Sequence, residues 1–118
     1  MSLYTTVEVP ASSLYTAQVT GTKAEVTDNP NSTVYMFDIT NGTAAIAYLQ
    51  VFDLDADNVT VGTTTPTYAF GCAAGGSKCI MLPKPIKHST GFTVASTTTR
   101  TGAVSAAQEV TILYTTST

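Results

Sequence analysis

Two cysteines, three closely spaced aspartates and one histidine are the residues of this chain whose types could support chemistry. Cys72 and Cys79 flank the pair Gly75-Gly76 in the segment YAFGCAAGGSKCIML, residues 68–82. If the two glycines form the turn of a β-hairpin, the cysteines become cross-strand neighbours, and opposed Cα atoms about 4.5–5.5 Å apart are compatible with a disulfide bond. The alternative, two reduced thiols in apolar surroundings, is the preferred interpretation for a chain without an export signal.

The aspartates raise the question of a metal site. Asp53, Asp55 and Asp57 alternate like the first ligands of a calcium loop. Asn58 and Thr64 stand where an EF-hand requires Gly and Glu, which excludes that class of site. A looser calcium site with backbone carbonyls stays open beside the alternative of a solvated turn. The C-x6-C spacing and one distant histidine do not supply a zinc ligand set, so no metal or cofactor is predicted.

The histidine, His88, lies among cations and hydroxyls in the segment KPIKHST, residues 84–90. A histidine that acts as a general base needs an orienting carboxylate and a nucleophile, and neither is close to it in sequence. We expect an exposed loop or strand-start position for His88. No carboxylate pair is marked out for glycoside hydrolysis either, so the chain is predicted not to be an enzyme.

The composition of the whole chain predicts one folded domain over residues 1–118. Hydrophobic residues make up 43% of the 118 residues and charged residues 11%, with a net charge of −3. Five scattered Lys and Arg residues form no basic stripe for a phosphate backbone, so nucleic acid is not expected as a partner. No apolar run is long enough to span a membrane, and the first residues lack a secretory signal. We therefore expect a soluble chain, either a product of the cytoplasm or a mature form from which a leader has been removed.

Short apolar segments separated by Gly, Asn, Asp and Pro predict how the domain is built. Such segments recur about every 8–14 residues and show no helical period, which is typical of an antiparallel sandwich or barrel. We therefore predict an all-β protein, an antiparallel β-sandwich of the jelly-roll or immunoglobulin-like type with about eight strands. The predicted strands are Thr5–Val9, Leu14–Val19, Val34–Thr40, Ala44–Phe52, Thr67–Cys72, Lys78–Leu82, Phe92–Ser96 and Glu109–Thr115.

Alternation along the strands predicts which side chains face the core. The expected core positions are Tyr35, Phe37 and Ile39 in one strand and Val110, Ile112 and Tyr114 in the last.

The segment Ala44–Leu54 differs because it is apolar on both faces. One face carries Leu49 and Val51, whereas the other carries Tyr48, Phe52 and Leu54. Two interpretations remain open for the second face: it is covered by loops of the same chain, or it is an oligomer face covered by another subunit.

Three segments together resemble a group of phage proteins. They are ITNGTAAIAYLQVF (39–52), VTVGTTTP (59–66) and PIKHSTGFTVASTTT (85–99). Their order is similar to that in small uncharacterised proteins encoded among phage and prophage structural genes, over roughly residues 34–115. The resemblance implies a non-enzymatic virion component made in the bacterial cytoplasm, either a capsid decoration protein or a tail- or fibre-associated protein. It transfers no catalytic residue.

The partners that follow from this resemblance are other copies of the chain and other virion proteins. The segment Ser2–Val9, followed by Pro10, is predicted to be an extended N-terminal arm (residues 1–10) that either pairs with a neighbouring subunit or docks on a shell, by adding to an open sheet edge. The alternative function is a carbohydrate or cell-surface binding module, because sandwiches present ligand sites at loops and aromatic faces. Six tyrosines could stack on a glycan, although the chain has no tryptophan.

Overall fold

Residues 12–117 are the part of the chain that this computed structural model describes, and its regular elements are β-strands joined by loops. A single turn of 3-10 helix, Ala56–Asn58, lies between β4 and β5. Within these residues no helix is long and apolar enough to cross a membrane. The predicted strand Thr5–Val9 and the predicted arm of residues 1–10 lie outside the described residues. The strands are β1 (Ser13–Val19), β2 (Ala24–Thr27), β3 (Ser32–Thr40), β4 (Ala47–Phe52), β5 (Tyr68–Cys72), β6 (Ser77–His88), β7 (Phe92–Thr97) and β8 (Gln108–Thr116).

The strands form two antiparallel four-stranded sheets, which confirms the predicted all-β sandwich. The first sheet has the order β1-β8-β3-β6 and the second the order β2-β7-β4-β5. The first strand thus pairs with the last, the second with the seventh, the third with the sixth and the fourth with the fifth. This is the strand order of a jelly roll, a long double-stranded ribbon folded over itself into two layers.

Each predicted strand that falls within the described residues is present, and two elements differ from the prediction. Strand β2 was missed because its four residues include Glu25 and are too few to show alternation. Strand β6 runs to His88, six residues beyond the predicted end at Leu82. It tolerates Pro83 and Pro85 because it is an edge strand, where a missing N–H can face away from the neighbouring strand.

The core lies between the sheets, and a register shift in β3 changes which residues reach it. The pairing of β3 with both neighbours shifts between Val34 and Met36, as at a β-bulge. Phe37 and Ile39 are buried as predicted, but Val34 takes the next core position and Tyr35 is only half-buried. The central cluster of buried residues consists of Val19, Val26, Val34, Phe37, Ile39, Leu49, Val51, Cys72, Phe92, Val94, Val110 and Ile112.

The cysteines do not lie on a hairpin, so the geometry predicted for a disulfide is wrong. Cys72 on β5 pairs with Ala47 of the second sheet, whereas Cys79 on β6 pairs with Asp38 of the first. The glycine pair at 75–76 lies in a connection that crosses between the layers. Both thiols are free: Cys72 is buried in the core and Cys79 is exposed. The sequence favours a hairpin because apolar runs flank the glycines. The connection between two strands of different sheets also needs a turn, so the same glycines fit both arrangements.

The second face of β4 is covered by loops of the same chain. Phe52 is fully buried, and it packs in a small cluster with Val59 and Ala95 against Leu54 and Val61. The prediction of an oligomer face formed by Tyr48, Phe52 and Leu54 is therefore wrong for Phe52, since the segment after β4 folds back over it. Tyr48 and Leu54 are half-buried.

Candidate functional site

His88 is buried, with 1% of its surface exposed, and the predicted exposed position is wrong. The extension of β6 beyond its two prolines carries His88 to the inner face of the first sheet. Its Nε2 atom lies 2.8 Å from the hydroxyl oxygen of Tyr68, within hydrogen-bond distance. Its ring meets the ring of Phe92 edge to face, with centroids 4.5 Å apart. His88 is therefore part of an aromatic core cluster.

Asp53, the residue after β4, closes the turn between β6 and β7. Its Oδ1 atom accepts hydrogen bonds from the backbone N–H groups of Ser89, Thr90 and Gly91 at 3.1, 2.9 and 3.1 Å. A carboxylate that accepts three backbone hydrogen bonds is held in place by the turn, and it holds the turn in return. The sequence gives little sign of this pairing, because 36 residues separate Asp53 from Ser89.

Burial and charge shift the pKa values of these three side chains. Burial lowers the pKa of His88 below 6.5, against the opposing effects of the Asp53 charge and of the nearby Gly91 backbone, which both favour the protonated ring. Partial burial favours the protonated form of Asp53, but the hydrogen bonds from the turn outweigh it and lower its pKa below 3.8. Burial, together with the negative charge of Asp53, raises the pKa of Tyr68. At neutral pH we expect a neutral His88, a protonated Tyr68 and an ionised Asp53.

This arrangement is not that of a nucleophile with its base. Among the described residues, His88 Nε2 makes its hydrogen bond to a tyrosine, and His88 Nδ1 is buried with no hydrogen-bond partner. Ser32, which pairs with His88 across the strands, also has a buried Oγ without a partner in this part of the chain. Asp53 uses its carboxylate on backbone groups. The cluster therefore ties the end of β6 to β4 and β5.

The three aspartates do not converge on one point. Asp55 accepts a hydrogen bond from the side chain of Asn58, and Asp53 faces the β6–β7 turn. Asp57 is exposed in the 3-10 helix. Within residues 12–117, no group of three or more His, Cys, Asp or Glu side chains is placed to hold a metal ion.

An apolar row crosses the outer face of the first sheet. Leu14 on β1 is directly opposite Leu113 on β8, Leu113 is opposite Met36 on β3, and Met36 is opposite Met81 on β6. Directly opposed residues of antiparallel strands point to the same face, so the four side chains form one row, which we call the outer apolar row. Leu14 and Met81 are 66% and 67% exposed.

The residues on one side of this row are polar. The next row along the strands consists of Thr16, Thr111, Asp38 and Cys79, and the one after it of Gln18, Glu109, Thr40 and Ser77. On this side the outer apolar row thus borders a polar part of the sheet face. The sequence alone does not reveal this row, because its members come from four distant strands and only the register between those strands aligns them.

A groove lies on the second sheet of the described chain. It has a volume of about 370 Å³ and is lined by residues 65–69 together with Arg100 and Thr101. The guanidinium group of Arg100 lies 5.9 Å from the ring centre of Tyr48, in a cation–π contact. Hydroxyl groups, an arginine and a tyrosine are side chains that can contact a sugar.

A comparison of the chain with protein families, curated proteins and solved structures finds no match.

Proposed function

We propose that this chain is a non-enzymatic structural protein of a phage virion, made in the bacterial cytoplasm. In this role it assembles with further copies and with other virion proteins as a capsid decoration protein or as a tail- or fibre-associated protein. The observation that carries the proposal is the outer apolar row. Four apolar side chains on an exposed sheet face are stabilised by contact with another protein surface.

The shape of the row supports a protein partner. It crosses all four strands of the first sheet, so a flat neighbour can cover it along its length. The polar rows beside it resemble the polar rim that surrounds the apolar centre of protein interfaces. The two methionines, Met36 and Met81, are flexible and adapt their shape to a partner surface.

The strand order and the sequence support a virion as the place of assembly. Jelly rolls occur in viral capsid domains and in lectins, and this is an analogy at the level of the fold. The three segments that resemble phage structural proteins supply β4, the loop after it, and the region from the end of β6 through β7. The fold thus brings together two of the strands that carry the resemblance, because β4 pairs with β7.

Particle association tests this function. Virions released from a strain that carries the gene are banded on a density gradient and probed with an antibody against the chain. We expect the protein in the particle band. A tagged Met81→Lys protein supplied in the same cells should be absent from the band, since the ammonium group opposes burial of the row.

The matched control is Thr40→Lys, which adds the same charge to an exposed position on the same sheet face but outside the row. It should band with the particles. A wild-type protein that stays at the top of the gradient, or a Met81→Lys protein that bands like wild type, contradicts the proposal.

A carbohydrate-binding module is the second candidate, and the groove beside Arg100 favours it. An immobilised glycan array probed with the labelled chain tests this function. Binding that is lost in Arg100→Ala and kept in Lys23→Ala, a cation outside the groove, supports it. The absence of any glycan binding by the wild-type chain contradicts a carbohydrate-binding function.

A further inference from the structure

We infer that β1 is a self-assembly edge, at which β1 of a second copy adds antiparallel and joins two first sheets into one eight-stranded sheet. This inference specifies the contact between copies in the assembly proposed above, and it rests on that proposed function. Its basis is the contrast between β1 and the other sheet edges of the described chain.

Within residues 12–117, strand β1 is an open sheet edge. It pairs along its full length with β8 on one side, and no described strand pairs with its other side. An edge strand exposes backbone N–H and C=O groups that another strand can bind. The seven residues of β1, Ser-Leu-Tyr-Thr-Ala-Gln-Val, include neither a charge nor a proline.

The opposite edge of the same sheet is blocked. Strand β6 contains Pro83 and Pro85, and it also carries three of the five Lys and Arg residues of the chain, at positions 78, 84 and 87. Its pairing with β3 is irregular between Met81 and Ile86, so the edge bends away from a regular ladder. Prolines, lysines and bulges are the features by which proteins prevent pairing at sheet edges.

The two edges of the second sheet are short and partly capped. Strand β2 has four residues, and the carboxylate of Glu25 on it accepts a hydrogen bond from Ala56 N–H at 3.0 Å. Strand β5 has five residues, and the ammonium group of Lys78 donates to the backbone oxygen of Gly71 at 2.8 Å. Among the four edges of the described sandwich, β1 is thus the long and uncharged one.

The charge pattern selects a second copy as the occupant. In a twofold arrangement the same strand meets itself. Two β6 strands would bring lysines against lysines, whereas two β1 strands meet with no charge on either side. Antiparallel pairing of identical strands also matches donors to acceptors by symmetry.

The outer apolar rows of the two copies lie on the same face of the joined sheet. The row ends at Leu14 on β1, next to the open edge. A twofold axis perpendicular to the sheet keeps the outer face of both copies on one side. Pairing through β1 with Thr16 near the axis sets Leu14 of one copy opposite Gln18 of the other, so the two rows lie on one face but are offset along the strands. The dimer thus offers a virion partner twice the apolar area of one copy.

The test measures self-association of the full chain by analytical ultracentrifugation over a range of concentrations. We expect a monomer–dimer equilibrium for wild type. Thr16→Lys places two ammonium groups near the twofold axis, and it should raise the dimer dissociation constant about tenfold or more. Thr40→Lys should leave the constant unchanged. The two variants are matched, since each removes one exposed hydroxyl contact, Thr16 to Thr111 at 3.5 Å or Thr40 to Ser77 at 3.3 Å.

Hydrogen exchange locates the contact. Amides of β1 that face the open edge should exchange more slowly at high than at low concentration in wild type, but not in Thr16→Lys. A wild-type chain that is monomeric throughout overturns the inference. So does a chain that dimerises only after deletion of residues 1–11, because these residues would then compete for β1.

Failure of the β1 dimer can be distinguished from failure of the proposed virion function. A dimer that survives Thr16→Lys but is lost in Met81→Lys overturns pairing through β1 and leaves assembly through the outer apolar row standing. A dimer that behaves as expected, in a protein that never bands with particles, upholds the inference and contradicts the virion function.

Discussion

At the scale of single residues, the turn between β6 and β7 depends on a close approach of two backbones. Gly91 lies against the segment that follows β4, and a Cβ atom there would be 2.6 Å from the carbonyl oxygen of Leu54 and even closer to the carbon of that group. The same glycine donates its N–H to Asp53. Any side chain at this position must push the turn away from the carboxylate that holds it.

We therefore expect Gly91→Ala to lower the free energy of unfolding by about 1–3 kcal/mol, the usual cost of overpacking. Urea unfolding followed by circular dichroism measures the change. The control is Gly42→Ala, because a Cβ atom at Gly42 has no heavy atom within 4 Å. Equal stability of Gly91→Ala and wild type would contradict the close packing of this turn.

His88 gives the molecule a pH-dependent stability. Its pKa is lowered by burial in the folded state, so the unfolded chain takes up the proton first as the pH falls. The contribution of the neutral imidazole is complete above its ordinary pKa of 6.5 and is lost as the pH falls through the lower folded value. Stability should thus decrease from about pH 7 to about pH 5.

Urea unfolding at several pH values measures this slope in wild type and in His88→Gln. Because His88 is the single histidine of the chain, the variant should unfold with little pH dependence in that range, whatever its absolute stability. An unchanged slope in the variant would show that the imidazole is not the group responsible.

Residue types predicted burial where alternation was regular, and not elsewhere. Phe37, Ile39, Val110 and Ile112 are buried as expected. Tyr35 was assigned to the core in place of Val34, because a β-bulge reverses the alternation and leaves no mark in one sequence. His88 was assigned to the surface for a similar reason, since its burial depends on a strand that continues through two prolines.

At the scale of the elements, one buried amide holds the long connection between β7 and β8. Gln50 on β4 donates through Nε2 to Thr97 Oγ1 at 2.7 Å and to the backbone oxygens of Thr99 and Gly102 at 3.3 and 2.9 Å. This contact fixes the loop over the outer face of β4.

Gln50→Ala removes these hydrogen bonds and leaves loop carbonyls without a donor. We expect a loss of about 1–3 kcal/mol in the free energy of unfolding. Amides of residues 98–104 should also exchange faster with solvent. Thr101→Ala, an exposed position in the same loop, should change neither measurement. Unaltered exchange in Gln50→Ala would mean that other contacts hold the loop.

The sequence predicted the positions of most strands, but it did not predict which strands pair with each other. Apolar alternation and turn residues located β1, β3, β7 and β8 within a few residues. The glycine pair at 75–76 was assigned to a hairpin, because local sequence does not distinguish a turn within a sheet from a turn between sheets. The outer apolar row depends on register between distant strands, and therefore it could not be predicted.

At the scale of the whole molecule, the jelly-roll topology separates the two cysteines into different layers. A reagent for free thiols should modify the exposed Cys79 in the native protein and Cys72 only after unfolding. Thiol titration should therefore count one reactive thiol per chain without denaturant and two with it. Loss of both thiols on mild oxidation, without a change in molecular mass on a non-reducing gel, would instead favour the hairpin.

The pairing of the first strand with the last also determines when the first sheet can close. Strand β1 has its described ladder partner in β8, and β8 separates it from β3. During synthesis, β1 therefore waits until residues 108–116 have left the ribosome tunnel, while β4 and β5 can already pair. A truncation that removes β8 leaves β1 and β3 without their common neighbour, so even a loss of the last tenth of the chain should abolish the mature fold.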